Sequence, residues 1–349
     1  MMGVTMKRRT EHYRRTRPCA AWASAAAVIL GSLAGGSLDG QSPDGRTGTL
    51  VVLNKGVARA TLIDVASGEH VATLPTGQGP HELAMTGDGR FAVATDYGGG
   101  NSLTVIDIAG RRVVRTVDLS EYPRPHGAFF LPGDSVLAVT SEASQNVVLV
   151  QPFRGEILGA ISTGAAGSHM LAVTGDGRTL YTGDIQAGTV SRLDVASMSR
   201  TRSYDVPPQP EAITVSRDGS EVWVGSNSEG RVSVVDTEAG AVDSRLSGFE
   251  WPYRILIVEE RDLVIIPDLR RSVVRFIEYG SRRDLETLEL PGDGPQGVAL
   301  THDRGTLFLS LSSAGQVAVI DLQARQVVRR IEGGPTPDGI GWSPLVLER

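Results

Sequence analysis

The sequence predicts an all-β protein: a seven-bladed β-propeller of four-stranded antiparallel blades, closed by three N-terminal strands plus one C-terminal strand. Three observations carry this reading. One phrase recurs seven times between Thr49 and Trp342. An acidic or amide residue closes the third strand of each unit, at Asp64, Asp107, Gln151, Asp194, Asp236, Glu278 and Asp321, with spacings of 43, 44, 43, 42, 42 and 43 residues. The residue before each innermost strand is proline at Pro80, Pro125, Pro210, Pro252, Pro295 and Pro337, with Ser168 the exception. A repeat of this length without helical periodicity is the mark of propeller blades. Proline suits the entry to an innermost strand because it donates nothing to a ladder and pre-sets the backbone.

Within a unit, short alternating apolar runs are separated by turn signals, the pattern of strands rather than helices. In the unit from His81, strand A runs from His81 to Thr86 and strand B from Phe91 to Asp96. Strand C follows from Leu103 to Asp107 and strand D from Val113 to Val117. Asp-Gly at Asp88, Asp176 and Asp218 supplies the dihedrals of tight hairpins, so these aspartates read as turn residues rather than calcium ligands. The first unit has strands B, C and D (Thr49 to Asn54, Ala60 to Val65, Val71 to Leu74) but no strand A, which is found at the other end, Asp338 to Trp342. Pairing the two ends completes the seventh blade and removes open edges. Trp223 and Trp342 fall on strands and read as core.

The chain has 349 residues, 40% of them hydrophobic and 5% aromatic. That is enough for a sizeable core, and the repeats leave room for one domain, 49–349. Residues 1–34 read as an export signal: a basic stretch from Lys7 to Arg17, an apolar run from Ala20 to Leu33, then small residues for cleavage. The run is too short for a comfortable membrane span. Residues 35–48, rich in Gly, Ser and Asp, read as a flexible leader. The expected location is periplasmic or secreted, as a monomer with no membrane span after signal cleavage.

Removing residues 1–34 takes away six basic residues and one acidic, moving the formal net charge from −6 to −11. An acidic surface disfavours nucleic acid and anionic lipid. Cys19, the sole cysteine, lies within the removed segment, so the mature chain is expected to hold no disulfide, no thiolate site and no c-type haem. There is also no glycine-rich phosphate loop between strand and helix, and no nucleophile-elbow serine.

Units such as GRVSVVDTEAGAVDSRL from Gly230 and QPEAITVSRDGSEVWVGSN from Gln209 resemble the YVTN, or YncE-like, family of bacterial propellers, which is similar in repeat style to the d1-haem propellers of periplasmic nitrite reductases. The resemblance extends over essentially the whole mature chain. It implies a rigid exported ring, and it is specific for fold rather than activity, because propellers host binding, scaffolding and several chemistries.

One repeat position goes beyond scaffold. The residue after the proline position runs His81, His126, His169, Glu211, Tyr253, Gln296 and Asp338 around the ring. Strand A starts and strand B ends on one face of a blade, so this position belongs to one mouth of the central channel. The ends of the B strands join it, and the expected pairs are His81 with Asp96, His126 with Glu142 and His169 with Asp184. Three imidazoles and Glu211 suit zinc or another divalent transition metal, with those carboxylates behind them to fix the imidazole tautomers. Histidines that merely cap strands would recur in the same way, and a metal-free histidine could do acid–base work. Tyr253, Arg254, Arg124, Gln296 and Asp338 are candidate ligand contacts at the mouth, with Tyr253 and Arg254 facing solvent and Trp251 wedged between blades.

Two functions fit this sequence. One is an exported binding module that takes a small ligand or a protein partner at the mouth, with or without a metal. The other is a metal-dependent hydrolase or lyase, lactonase-like, acting at the same place. Nothing in the sequence names a substrate or a leaving group.

Overall fold

The computed structural model describes residues 45–347. The expected export signal, 1–34, and residues 35–44 of the leader lie outside the described residues. Seven four-stranded antiparallel sheets, six of them with their strands in sequential order, make seven blades around a channel. Blade one is the closing blade, ordered Pro337–Ser343, Thr49–Asn54, Arg59–Asp64, His70–Pro75. The innermost strands of blades two to seven are Pro80–Met85, Pro125–Phe130, Ser168–Val173, Pro210–Val215, Leu256–Val258 and Pro295–Leu300. The helical turns among the described residues are two short 3₁₀ segments, Lys55–Val57 and Glu259–Arg261. No helix among these residues is long and apolar enough to cross a membrane.

The two chain ends pair as expected, with Leu50 opposite Trp342, Val51 opposite Gly341 and Val52 opposite Ile340. Leu50, Val52 and Ile340 then join Phe308, Val317 and Val319 in the apolar layer between blades one and seven. Burying each such aliphatic side chain contributes roughly 1.5–3 kcal/mol, so the joint between the chain ends is held by packing as well as by the ladder. Trp223 is fully buried against Val264, Ile266 and Ile277 of the next blade. Trp342 is only half-buried: its ring packs on the closing layer while its Nε1 donates to the Thr47 carbonyl.

The Asp-Gly turns are held as turn chemistry requires. Asp88 Oδ1 accepts from Thr86 Oγ1 at 2.7 Å and from the Arg90 amide at 2.9 Å. Asp176 and Asp218 repeat the arrangement.

Each innermost strand carries an irregularity that bears on function. Pro80 pairs with Asp96, but the next pair is Leu83 with Ala94, so His81 and Glu82 together face the single residue Thr95. The same shift recurs after Pro125, Ser168, Pro210 and Pro295, and between Pro337 and Ile340. A bulge of this kind re-aims side chains. In blade six the departure is larger than the repeat suggests. Pro252 makes an isolated bridge to Asp268 and regular pairing resumes only at Leu256–Val258, because Tyr253 and Arg254 both turn inward. The innermost strands approach so closely that glycine is needed: a Cβ on Gly339 would press into the His81 carbonyl oxygen.

Candidate functional site

In blade two the bulge gathers two consecutive residues, His81 and Glu82, at the channel. His81, His126, His169, Glu211, Tyr253 and Asp338 are all buried there, and Gln296 is half-buried. A regular strand would send Glu82 to the opposite side from His81. The bulge instead brings Glu82 Oε1 to 3.9 Å from His81 Nε2.

The three imidazoles form a contiguous stack. His126 meets His81 edge-on with ring centroids 4.5 Å apart and lies 3.6 Å from His169 at a shallow tilt. His81 Nδ1 is 2.7 Å from Asp338 Oδ2, and His169 Nδ1 is 3.0 Å from Glu142 Oε2. A carboxylate oxygen only accepts, so these partners favour the Nδ1–H tautomer, in which Nε2 keeps the lone pair, while Lys55 Nζ lies 3.0 Å from His81 Nδ1 and is shared with Asp338. His126 is 0% exposed and neither of its nitrogens has a hydrogen-bond partner. Burial, reinforced by His169, His81, Arg254 and Lys55 nearby, holds its pKa well below the ordinary imidazole range. His126 is thus a neutral base with two unsatisfied nitrogens in a polar pocket.

The carboxylate pairing differs from expectation, and the reason is a register of one residue. The last residue of strand B points back into its own blade. Asp96 accepts from Ser102 Oγ at 2.6 Å and Thr104 Oγ1 at 3.0 Å. Asp184 accepts from Ser168, Thr182, Thr189 and Ser191. Neither pairs with a histidine; both tie neighbouring strands of their own blade together, and burial raises the pKa of each despite the hydroxyl groups. The residue one step further on reaches the mouth, because side chains alternate. Those residues are Lys55, Tyr97, Glu142 and Asn227. Glu142 therefore belongs to the site, but it orients His169 of the next blade rather than His126. His81 is likewise oriented from a neighbouring blade, by Asp338, which Lys55 pairs at 3.2 Å.

Tyr97 covers the cluster, its ring 5.4 Å from His81 and 4.7 Å from His126. Its hydroxyl donates to Glu142 Oε2 at 2.8 Å and accepts from half-exposed Arg124, which also reaches Glu142 Oε1 at 3.2 Å. Burial alone would raise the Glu142 carboxyl, but hydrogen bonds from His169 and Tyr97 and the nearby positive charges outweigh it and bring its pKa down to about 2.

Tyr253 and Arg254 do not face solvent. Both are buried, and they plug the channel. Arg254 crosses from blade six to pair with Glu82 of blade two and donates to the Tyr253 carbonyl at 2.6 Å. The Tyr253 hydroxyl lies 3.4 Å from Asp338 Oδ1. Glu211 is bonded by the Asn227 amide. Trp251 is half-buried, with Arg270 stacked 4.4 Å from its ring centre. Among the described residues, the group whose ligand atoms lie within 4.8 Å of one another is His81, Glu82 and His126. His169 stacks beside that group and Glu211 stands apart from it. Glu82 was missed in the sequence because nothing in the alternation of strand A announces a bulge.

Fold and site together define a seven-bladed propeller with a buried cluster of imidazoles and carboxylates at one channel mouth. The family model described as a YNCE-like beta-propeller matches residues 137–259, about a third of the chain. It is similar to the uncharacterized protein YncE of Salmonella typhimurium, 24% identical over 188 residues, an alignment covering 52% of this chain and 52% of that protein. The chain thus matches about half the length of that relative. Among solved structures it is similar to hydrazine synthase of Kuenenia stuttgartiensis, with TM-score 0.68 and 19% identity over 86% of this chain and 100% of that one. It is also similar to a functionally unknown protein from Desulfotomaculum acetoxidans, with TM-score 0.70 and 16% identity over 85% and 99% of the two chains. At these identities the solved structures speak to fold alone.

Proposed function

We propose that this protein is an exported propeller binding module, periplasmic or secreted, whose channel mouth holds one divalent metal on His81, Glu82 and His126. Residues 1–34 serve as its export signal and 35–48 as its leader. The observation that carries the reading is His126, a buried neutral imidazole with both nitrogens unpaired, beside His81, whose Nε2 is left free by the Asp338 carboxylate. Leaving such nitrogens unpaired costs roughly 1–3 kcal/mol each, and a metal relieves that cost for the nitrogen it takes. Two imidazoles and a carboxylate are a zinc-type donor set, and three protein ligands leave a position for a small ligand or a group from a protein partner. With the Arg254 plug across the channel, the ligand comes from the mouth face, past Tyr97.

The test is calorimetric titration of chelator-stripped protein with zinc, in parallel with a correctly folded His81→Ala, His126→Ala variant. One site per chain in the wild type and none in the variant is the expected result. Equal or absent binding in both overturns the reading. Turnover of lactones or esters that tracks the bound metal would move the protein from binding module to metal-dependent hydrolase.

A further inference from the structure

The other half of the same mouth carries a site of different chemistry. Blades four to six leave an open cleft of about 830 Å³ between Ile185, Val206, Pro208 and Trp251 on its walls and Glu211 and Asn227 at its base. Its volume is in the range of small-molecule sites, which combine apolar walls with a few placed polar groups. Both base residues are more than nine-tenths buried, Glu211 at 4% and Asn227 at 8% exposure.

The hydrogen bonding is incomplete in a directional way. The Asn227 amide nitrogen donates to Glu211 Oε2, which fixes the amide and leaves Asn227 Oδ1 without a partner. Trp251 Nε1 is also unpaired. Glu211 and Asn227 Oδ1 are thus two buried acceptors beneath the cleft and Trp251 Nε1 a buried donor beside it, and the amides of Gln186 and Gln209 complete the polar lining. None of its lining residues is basic. Arg254, the guanidinium whose charge acts on Glu211, is already committed to Glu82.

An anion is excluded by Glu211, and a purely apolar molecule would leave every one of these groups unsatisfied. A group with several N–H donors and a positive charge satisfies both acceptors at once. We infer that the cleft binds a small organic ammonium compound with an apolar body, its N–H groups donating to Glu211 and Asn227 Oδ1 and its body lying against Ile185, Pro208 and Trp251. An acceptor on the body takes the Trp251 Nε1–H. Glu211, expected from the sequence to ligate a metal, serves the ammonium group instead. The inference goes beyond the metal reading and does not depend on it.

The experiment uses the whole protein in excess EDTA, so that success or failure at the imidazoles has no bearing on it. Cyclohexylmethylamine, protonated at pH 7, and the neutral isostere cyclohexylmethanol are titrated by calorimetry into the wild type, Glu211→Gln and Trp251→Phe, with folding checked by thermal melting. The expected result is saturable binding of the amine at least tenfold tighter than the alcohol. Glu211→Gln should remove that preference, and Trp251→Phe should retain it. Equal binding of amine and alcohol, no binding of either, or an amine preference that survives Glu211→Gln overturns the proposal.

Discussion

Replacing Arg254 with methionine separates what stabilises the channel from what would bind in it. Arg254 is buried, pairs with Glu82 across the channel, donates to the Tyr253 carbonyl at 2.6 Å and lies 4.1 Å from the centre of the Tyr253 ring. Methionine keeps much of the side chain's volume but leaves Glu82, whose side chain is 13% exposed, beside two imidazoles without its cation. Breaking a buried pair from one side costs about 3–5 kcal/mol, because the remaining charge is uncompensated. Against a typical domain stability of roughly 5–15 kcal/mol that is a large fraction. Urea denaturation in EDTA should therefore show a sharp fall in midpoint for Arg254→Met. Zinc then discriminates. A ligand at about a hundred times its Kd stabilises by roughly 2.7 kcal/mol, and in the variant the freed Glu82 carboxylate should bind zinc more tightly, so zinc should recover more stability there than in the wild type. A metal-free loss below about 1 kcal/mol refutes the account of the plug, whose expected cost is several-fold larger. Zinc stabilisation of the wild type but not of the variant refutes the claim that Arg254 and the metal share Glu82.

Asp184→Ala strips one acceptor from four hydroxyl groups and should cost about 3 kcal/mol or more, with Asp184→Asn in between because it keeps one acceptor oxygen; equal midpoints for the two variants would contradict this. Glu142 has its carboxyl pKa lowered to about 2 from 4.5, so the stability it contributes is present above pH 4.5 and is lost as pH falls toward 2. After screening by solvent at the mouth this amounts to about 1–2 kcal/mol. The gap between wild type and Glu142→Gln should close on acidification, and a gap unchanged near pH 2.5 would refute the assignment. Gly339→Ala drives a Cβ into the His81 carbonyl and should cost about 1–3 kcal/mol, while weakening zinc binding because His81 moves with its strand. A fully stable variant with unaltered zinc affinity would contradict that coupling.

The blades, their number and the joint between the chain ends were legible because one acidic position and one proline position repeat at nearly constant spacing. The ring of residues at the mouth was legible for the same reason, and it brought His81, His126 and His169 together. What stayed hidden depends on offsets of a single residue. Asp96 and Asp184 end their strands and face inward, whereas Lys55, Tyr97 and Glu142 stand one residue later and reach the imidazoles. The tell-tale was that Glu142 follows Ser141, the true partner of Pro125, while Asp96 is itself the partner of Pro80. Glu82 and Arg254 were hidden by the bulge, which turns the third residue of the innermost strand toward the channel against the alternation of a regular strand. Their mutual attraction is visible in the charges only once the ring has placed blade six across from blade two.

The most direct test of the metal site is anomalous diffraction at the zinc absorption edge from crystals of the protein grown with zinc. A single strong peak within coordination distance of His81 Nε2, Glu82 and His126, absent when both histidines are replaced by alanine, is the outcome expected here. Crystals soaked to saturation that show no peak at the imidazoles, with His126 still unpaired, would contradict it.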